Sequence, residues 1–248
     1  MKPAQVADRI YRLGTTWANF YLVTEGAESM LIDAGYPRYW NQVTAALDSL
    51  GQRPSSLAAV LVTHHHVDHA GTAERARAAA GARVLVHSAD AEIVRGDRRS
   101  HVPPGFYRQS WRPSMARYLA HSVAVGGARY RPVSAVEPLD DEQVLDLPGR
   151  PRILHTPGHT AGHCSVVLKD RGVLFSGDAM VNFDYATGQH GLSQHRFNED
   201  RERALRSLDR LEAFDTDTVL FGHGDPWTQG SRRALEIVRE RARRREPC

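Results

Sequence analysis

Lysine is nearly absent from this chain: of 32 basic residues only Lys2 and Lys169 are lysine, and arginine supplies the rest. Cysteine is as scarce. Cys164 and Cys248 lie far apart in sequence, which excludes a disulfide framework and suits a reducing compartment. No apolar run reaches the roughly 18 residues a membrane span needs, and residues 1–14 lack the apolar stretch of a secretory leader. A cytoplasmic protein with no membrane partner is therefore expected. No linker-like segment divides the 248 residues, so a single domain over 1–248 is expected, large enough for a core that needs no staples. The net charge is only +3, and arginines gather at 232–245 around Ala234, Leu235, Ile237, Val238 and Ala242. That pattern reads as an amphipathic helix with a solvated basic face, and no nucleic-acid partner is expected.

Histidine is what the chain has in strength, with 13 in all, and residues 63–69 read Thr-His-His-His-Val-Asp-His. The run follows the apolar segment 57–62 and precedes a helix-like stretch, 70–80. Imidazole and carboxylate are the usual side-chain ligands of a borderline divalent metal, and a strand-to-helix turn can aim several at one point. The plain alternative is a polar loop with a chance cluster.

Around this run the chain alternates. Short β-like segments at 10–13, 19–24 and 30–33 precede a helix at 37–50; a strand is expected at 83–87. Residues 101–132 break the rhythm, with Phe106, Tyr107, Trp111, Tyr118 and Tyr130 among arginines and prolines. They read as a partly helical insertion, either a lid over a pocket or a surface excursion. A second half repeats the pattern, with strands at 144–147, 152–155, 164–168, 173–175 and 218–221 and helices at 198–213 and toward the C-terminus. The expected fold is α/β, two sheets face to face with helices outside.

Further candidate ligands sit in glycine-flanked turns after strands. His159 lies in Pro157-Gly158-His159-Thr160, Asp178 in Ser176-Gly177-Asp178, and His223 in Gly222-His223-Gly224. Glycine there allows a sharp turn and a close approach.

These segments, in this order, resemble the metal-binding motifs of the metallo-β-lactamase-fold hydrolase superfamily, and the likeness runs from the N-terminal strands to His223. It implies an αββα four-layer sandwich of two mixed sheets, with the site at one edge between them. It implies that His64, His66 and His159 bind one divalent ion, that Asp68, His69 and His223 bind a second, and that Asp178 bridges both. Zinc is the usual metal of such hydrolases, with iron or manganese in some branches. Asp33 corresponds to a strand-end aspartate that supports the metal loop, and His159 rather than His163 to the ligand. His65, flanked by ligands, is expected to point away from the metal. The loop after the bridging aspartate commonly borders the substrate, which singles out Tyr185, His190 and His195.

Among the activities of that superfamily, a true β-lactamase is disfavoured by the aspartate at position 178. Glyoxalase-II-like thioesterases share it but carry a longer C-terminal region, and lactonases place a tyrosine three residues later, where this chain has Val181. A mononuclear iron dioxygenase needs fewer ligands. The resemblance thus implies a dinuclear metal hydrolase of a small-molecule ester, lactone or thioester, with Asp68 as catalytic proton carrier. The alternatives are a nuclease or phosphodiesterase of the same fold, or a non-catalytic metal-binding protein. The oligomeric state is left open, a homodimer included.

Overall fold

The computed structural model describes residues 3–100 and 105–244. His101, Arg245, Cys248 and the first four residues of the expected insertion lie outside them. In chain order, strands β1 (Ala4–Ala7), β2 (Ile10–Thr15), β3 (Ala18–Glu25) and β4 (Glu28–Ile32) form an antiparallel meander; α1 (Trp40–Ser49) then leads to β5 (Leu57–Val62). The histidine run turns into α2 (Val67–Ala70) and α3 (Ala73–Ala80), followed by β6 (Arg83–His87), α4 (Ser88–Arg95), α5 (Pro113–Ala124) and β7 (Glu137–Leu139). The second half comprises β8 (Arg152–His155), β9 (Cys164–Leu168), β10 (Val173–Gly177), the hairpin β11 (Val181–Asp184) and β12 (Gln189–Ser193), α6 (Arg201–Ser207), β13 (Thr218–Phe221) and α7 (Ser231–Arg243).

Strands β1 to β7 make one sheet in sequence order, with β4 through β7 parallel; the second sheet runs β13-β10-β9-β8, with β13 parallel to β10. Alternation along each strand sorts the side chains into layers. In β3, Tyr21 and Val23 face the second sheet and pack with Phe175, Val166 and Leu220, while Phe20 and Leu22 face Trp40, Val43 and Leu47 of α1. On the far side, Leu174, Val219 and Phe221 pack against Leu235 and Val238 of α7. The result is the four-layer αββα arrangement, helices on both outer faces of two apposed sheets.

Some boundaries differ from expectation. Residues 144–147 form no strand: Val144 makes a single bridge to Arg152 while Leu145 and Leu147 still enter the core between the sheets. Their alternation marks burial, and pairing with Pro151 and β8 is limited to scattered bonds such as Leu145 N–H to the Pro151 carbonyl. The expected helix 198–213 is α6 continued by a 3-10 turn, Leu208–Ala213, and the loop after Asp178 contains the β11–β12 hairpin. The basic face of α7 is largely neutralised inside the chain. Arg232 pairs with Asp215, Arg233 with Glu236, and Arg239 with Asp209 and Glu212. No described helix is long and apolar enough to cross a membrane.

Candidate metal centre

The seven residues singled out in the sequence come together at one edge of the sandwich. Strand β5 ends at Val62 and α2 begins at Val67, so the intervening turn presents His64 and His66 while the first turn of α2 presents Asp68 and His69. His159 comes from the turn after β8, Asp178 from the end of β10 and His223 from the end of β13. Each of these strands points its carboxyl end at the same place.

Three ring nitrogens converge on one point: His64 Nε2 and His159 Nε2 lie 3.0 and 3.1 Å from His66 Nδ1. Nitrogens bound tetrahedrally to zinc at about 2.0–2.1 Å lie about 3.3 Å apart, so this cluster is close to ligand spacing. A second set forms beside it, with Asp68 Oδ2 3.9 Å from His69 Nε2 and 3.7 Å from His223 Nε2. The Asp178 carboxylate lies between them. Its Oδ2 is 3.4 Å from His159 Nε2 and 3.1 Å from His223 Nε2, and its Oδ1 is 3.7 Å from His69 Nε2.

Two buried atoms of this group, His69 Nε2 and Asp178 Oδ1, have no hydrogen-bond partner. Buried polar atoms are rarely left so, and two acceptors facing each other across 3.7 Å leave the space a divalent cation would bridge. The surroundings enforce the same polarity. His64 Nδ1–H donates to Thr63 Oγ1, His69 Nδ1–H to Asp33 Oδ2, His159 Nδ1–H to Asn198 Oδ1 and His223 Nδ1–H to the Trp17 carbonyl, at 2.6–3.0 Å. Each bond fixes the tautomer that turns an Nε2 lone pair toward the centre.

Charge balance points the same way. Burial, then neighbouring imidazoles, pushes His64, His66 and His159 well below their ordinary range, favouring the neutral, ligating form. Burial also opposes a charge on His69, yet the carboxylates of Asp33, Asp178 and Asp68 outweigh it and raise its pKa to about 10, so that without a cation a proton on Nε2 takes the place a divalent ion would hold. Asp178 stays ionised despite its burial, held well below the carboxylate range chiefly by His223 and His69. Buried carboxylates at this density call for positive charge among them. The donor set fits divalent metal.

Asp33 does what its place at the end of β4 implied. It sits at φ 62°, a left-handed conformation uncommon for residues with a side chain but one that aspartate tolerates better than most, and its carboxylate accepts from Thr63 N, Thr63 Oγ1 and His69 Nδ1. Gly222 is required by contact: a Cβ there would meet Asp178 Oδ1 at 2.2 Å and His69 Cε1 at 2.5 Å. His163 takes no place in the ligand set, because its Nε2 accepts the Asp178 backbone N–H at 2.9 Å and its Nδ1 faces Thr156. It positions the aspartate. His65 turns away from the two sets, its Nδ1 3.0 Å from Asp90 Oδ2.

The centre forms the floor of a cavity of about 620 Å³, lined there by His66, Asp68, Asp178, His195 and His223. Its walls are mostly apolar, with Ile93 of α4 on one side and Tyr107, Leu119, Val123 and Tyr130 of the insertion on the other, and Arg98 and Arg99 supply its cationic lining. The described part of the insertion is thus one wall of the cavity. Of the three residues proposed to border substrate, Tyr185 and His195 line it; His190 does not, being exposed on β12 against the Phe183 ring. It sits at the exposed end of β12, next to the equally exposed Gln189.

Sequence reasoning missed Asp90, Tyr118 and Asn198. Asp90 in α4 accepts from His65 N, His65 Nδ1, Thr160 Oγ1 and Gly162 N, clamping the histidine turn to the His159 turn. Tyr118 of α5 stacks on Tyr185 at 3.9 Å and donates its hydroxyl to Asp68 Oδ2 at 3.2 Å. The only local signal for Tyr118 was its place on the buried face of a helix, beside Met115.

This architecture recurs in known proteins. The metallo-beta-lactamase family protein TTHA1429 of Thermus thermophilus superposes with a TM-score of 0.69 at 27% identity, over 97% of this chain and 81% of its own. A Bacillus subtilis protein described as a probable metallo-hydrolase, YflN, is 26% identical over 240 residues, 90% of this chain and 87% of that protein. The Bos taurus acyl-coenzyme A thioesterase MBLAC2 is 33% identical over 192 residues, 71% of this chain and 63% of that protein. The sequence profile of the metallo-beta-lactamase superfamily matches residues 16–223, a span that begins just before Trp17, whose carbonyl holds His223, and ends on His223 itself. With its ligand-bearing turns all inside that span, the chain belongs to the metallo-beta-lactamase superfamily.

Proposed function

We propose that this chain is a metal-dependent hydrolase of a small carbonyl substrate, an ester, lactone or thioester, that works with a pair of divalent ions, zinc first among them. The observation that carries this reading is that the Asp178 carboxylate lies 3.1–3.7 Å from His159, His69 and His223, between the two histidine clusters and at the floor of a mostly apolar cavity. Bound there, two cations would lower the pKa of a water between them and polarise a carbonyl oxygen. His64, His66 and His159 would hold one, Asp68, His69 and His223 the other, and Asp178 both. Asp68 also faces the cavity, so its carboxylate is placed to take a proton from the attacking water and pass it to the leaving group. Tyr118, donating to Asp68, keeps that carboxylate aimed.

The mostly apolar walls suit an acyl group, which supports carbonyl hydrolysis, while Arg98 and Arg99 in the same lining would accept an anionic part of the substrate. The relative described as an acyl-coenzyme A thioesterase supports the thioester among the three. Tyr185 and His195 are placed to touch this substrate, in a cytoplasmic protein that needs neither membrane nor nucleic acid.

Metal analysis combined with a panel of esters, lactones and acyl thioesters tests the reading. Two ions per chain and turnover of at least one class are expected, with Asp68→Asn reducing kcat about 100-fold or more. Fewer than one ion per chain, or full activity in Asp68→Asn, sinks it. A metal that serves structure alone would instead lower stability on removal while no panel member is cleaved.

A further inference from the structure

We propose that His195 is a catalytic hydrogen-bond donor whose Nε2–H binds the oxyanion formed at the substrate carbonyl, and that it is not a metal ligand. This rests on the hydrolytic reading above. His195 stands beside the ligands, its Nε2 3.5 Å from Asp178 Oδ2 and its ring 4.4 Å from that of His159, so position alone would admit it to a metal set. Its tautomer decides otherwise. The Nδ1 accepts the backbone N–H of Phe197 at 3.1 Å. A backbone N–H can only donate, so the Nδ1 lone pair is used and a neutral ring must carry its proton on Nε2.

The ligands are wired the opposite way: His64, His69, His159 and His223 each donate from Nδ1 and turn an Nε2 lone pair inward. His195 turns an N–H into the same cavity. Metal binding through Nε2 would require an imidazolate or the loss of the Phe197 bond. The loop that carries it is firmly held: Arg196 binds Asp184 Oδ2 through two N–H groups at 2.8 and 2.6 Å, and Gln194 donates to the Arg201 carbonyl at 2.7 Å. A donor fixed before substrate arrives needs no reorganisation when charge develops.

In the reaction, a water oxygen bonds to the carbonyl carbon and the carbonyl π pair moves onto its oxygen, which accepts a hydrogen bond from the Nε2–H of His195. The bond to the alkoxy or thiolate leaving group then breaks as the π bond reforms. One water proton travels through Asp68 to the leaving group; the second leaves as the carboxylic acid ionises. His195 keeps its proton throughout.

The test compares His195→Ala with His195→Gln, whose amide N–H can reach the same place. Both variants should keep the wild-type metal content, measured by plasma emission. His195→Ala should lose about 100-fold in kcat with little change in KM, and His195→Gln should recover at least about 10-fold of it. Octylphosphonate, whose tetrahedral anion copies the oxyanion, should bind His195→Ala about 10-fold more weakly than wild type, while octanoate changes less than about 3-fold. Nitrogen NMR of the metal-loaded protein should show His195 protonated at Nε2. Loss of an ion in both variants, unchanged octylphosphonate affinity, or a proton on Nδ1 overturns the assignment. Absence of turnover across the panel in the fully metallated wild type overturns the hydrolytic reading instead, whereas the phosphonate and tautomer results address His195 by itself.

Discussion

Asp90 is buried, makes no contact with substrate space, and holds two of the ligand-bearing turns together. Burial alone would raise its pKa; the hydrogen bonds and charge of His65, with those of Thr160 and Gly162, lower it instead, from 3.8 to about 2. Because folding lowers this pKa, the ionised carboxylate stabilises the folded chain at pH above 3.8 and that contribution fades as pH falls from there through about 2. A shift of that size corresponds to about 2 kcal/mol. Asp90→Asn should cost at least that at pH 7, since an amide turns donors against donors, and its stability should vary less between pH 4 and about 2 than that of wild type; urea titrations at several pH values measure both. The seven candidate ligand positions could be picked out because each sits in a short glycine- or histidine-rich turn. Asp90 was not: its partners Thr160 and Gly162 lie 70 and 72 residues away, and nothing in Ser88-Ala89-Asp90-Ala91 announces them.

Among the elements, those with strong periodicity or sharp turns were readable, including β5, the histidine turn, α1 and α7. The strand expected at 144–147 failed for an instructive reason: alternation reports which residues are buried, and Leu145 and Leu147 are buried without a continuous partner strand. The insertion could be recognised by its broken rhythm but not placed, because a wall of aromatic residues looks the same whether it covers a pocket or packs on a surface. The structure puts α5 over the centre, with Tyr118 reaching Asp68. Tyr118→Phe removes that one hydroxyl and leaves the ring stack on Tyr185; kcat is expected to fall about 5–10-fold with metal content unchanged. Ala128, at the cavity wall, offers a second probe. Ala128→Trp should lower kcat/KM for an octanoyl thioester about 10-fold and leave the acetyl thioester near wild type, as chain-length kinetics would show. Equal losses on both would disprove the acyl-pocket role of the insertion.

In the whole molecule, the centre draws His64, His66, Asp68 and His69 from the first sheet's side and His159, Asp178 and His223 from the second's, so a bound metal would join the two halves. Protein bonds already do so at the same edge: Asn19 Nδ2 donates to the carbonyls of Phe221 and Gly224, and Tyr21 Oη donates to that of Phe221. Metal removal should therefore lower the thermal midpoint and not only abolish activity. At a free metal concentration 100 times Kd the linkage is about 2.7 kcal/mol for each ion, or about 5–10 °C per ion for a chain of this size. Calorimetry with and without chelator measures it, and an unchanged midpoint would mean that the two halves close without the metal. The parallel pairing of β13 with β10 also sets a timetable. His223 meets Asp178 across 45 residues of sequence, a stretch that takes about 2–9 s to synthesise at 5–20 residues per second. Throughout that interval the nascent chain already contains the histidine run without its last partner, so any metal bound to it then would be held by an open site.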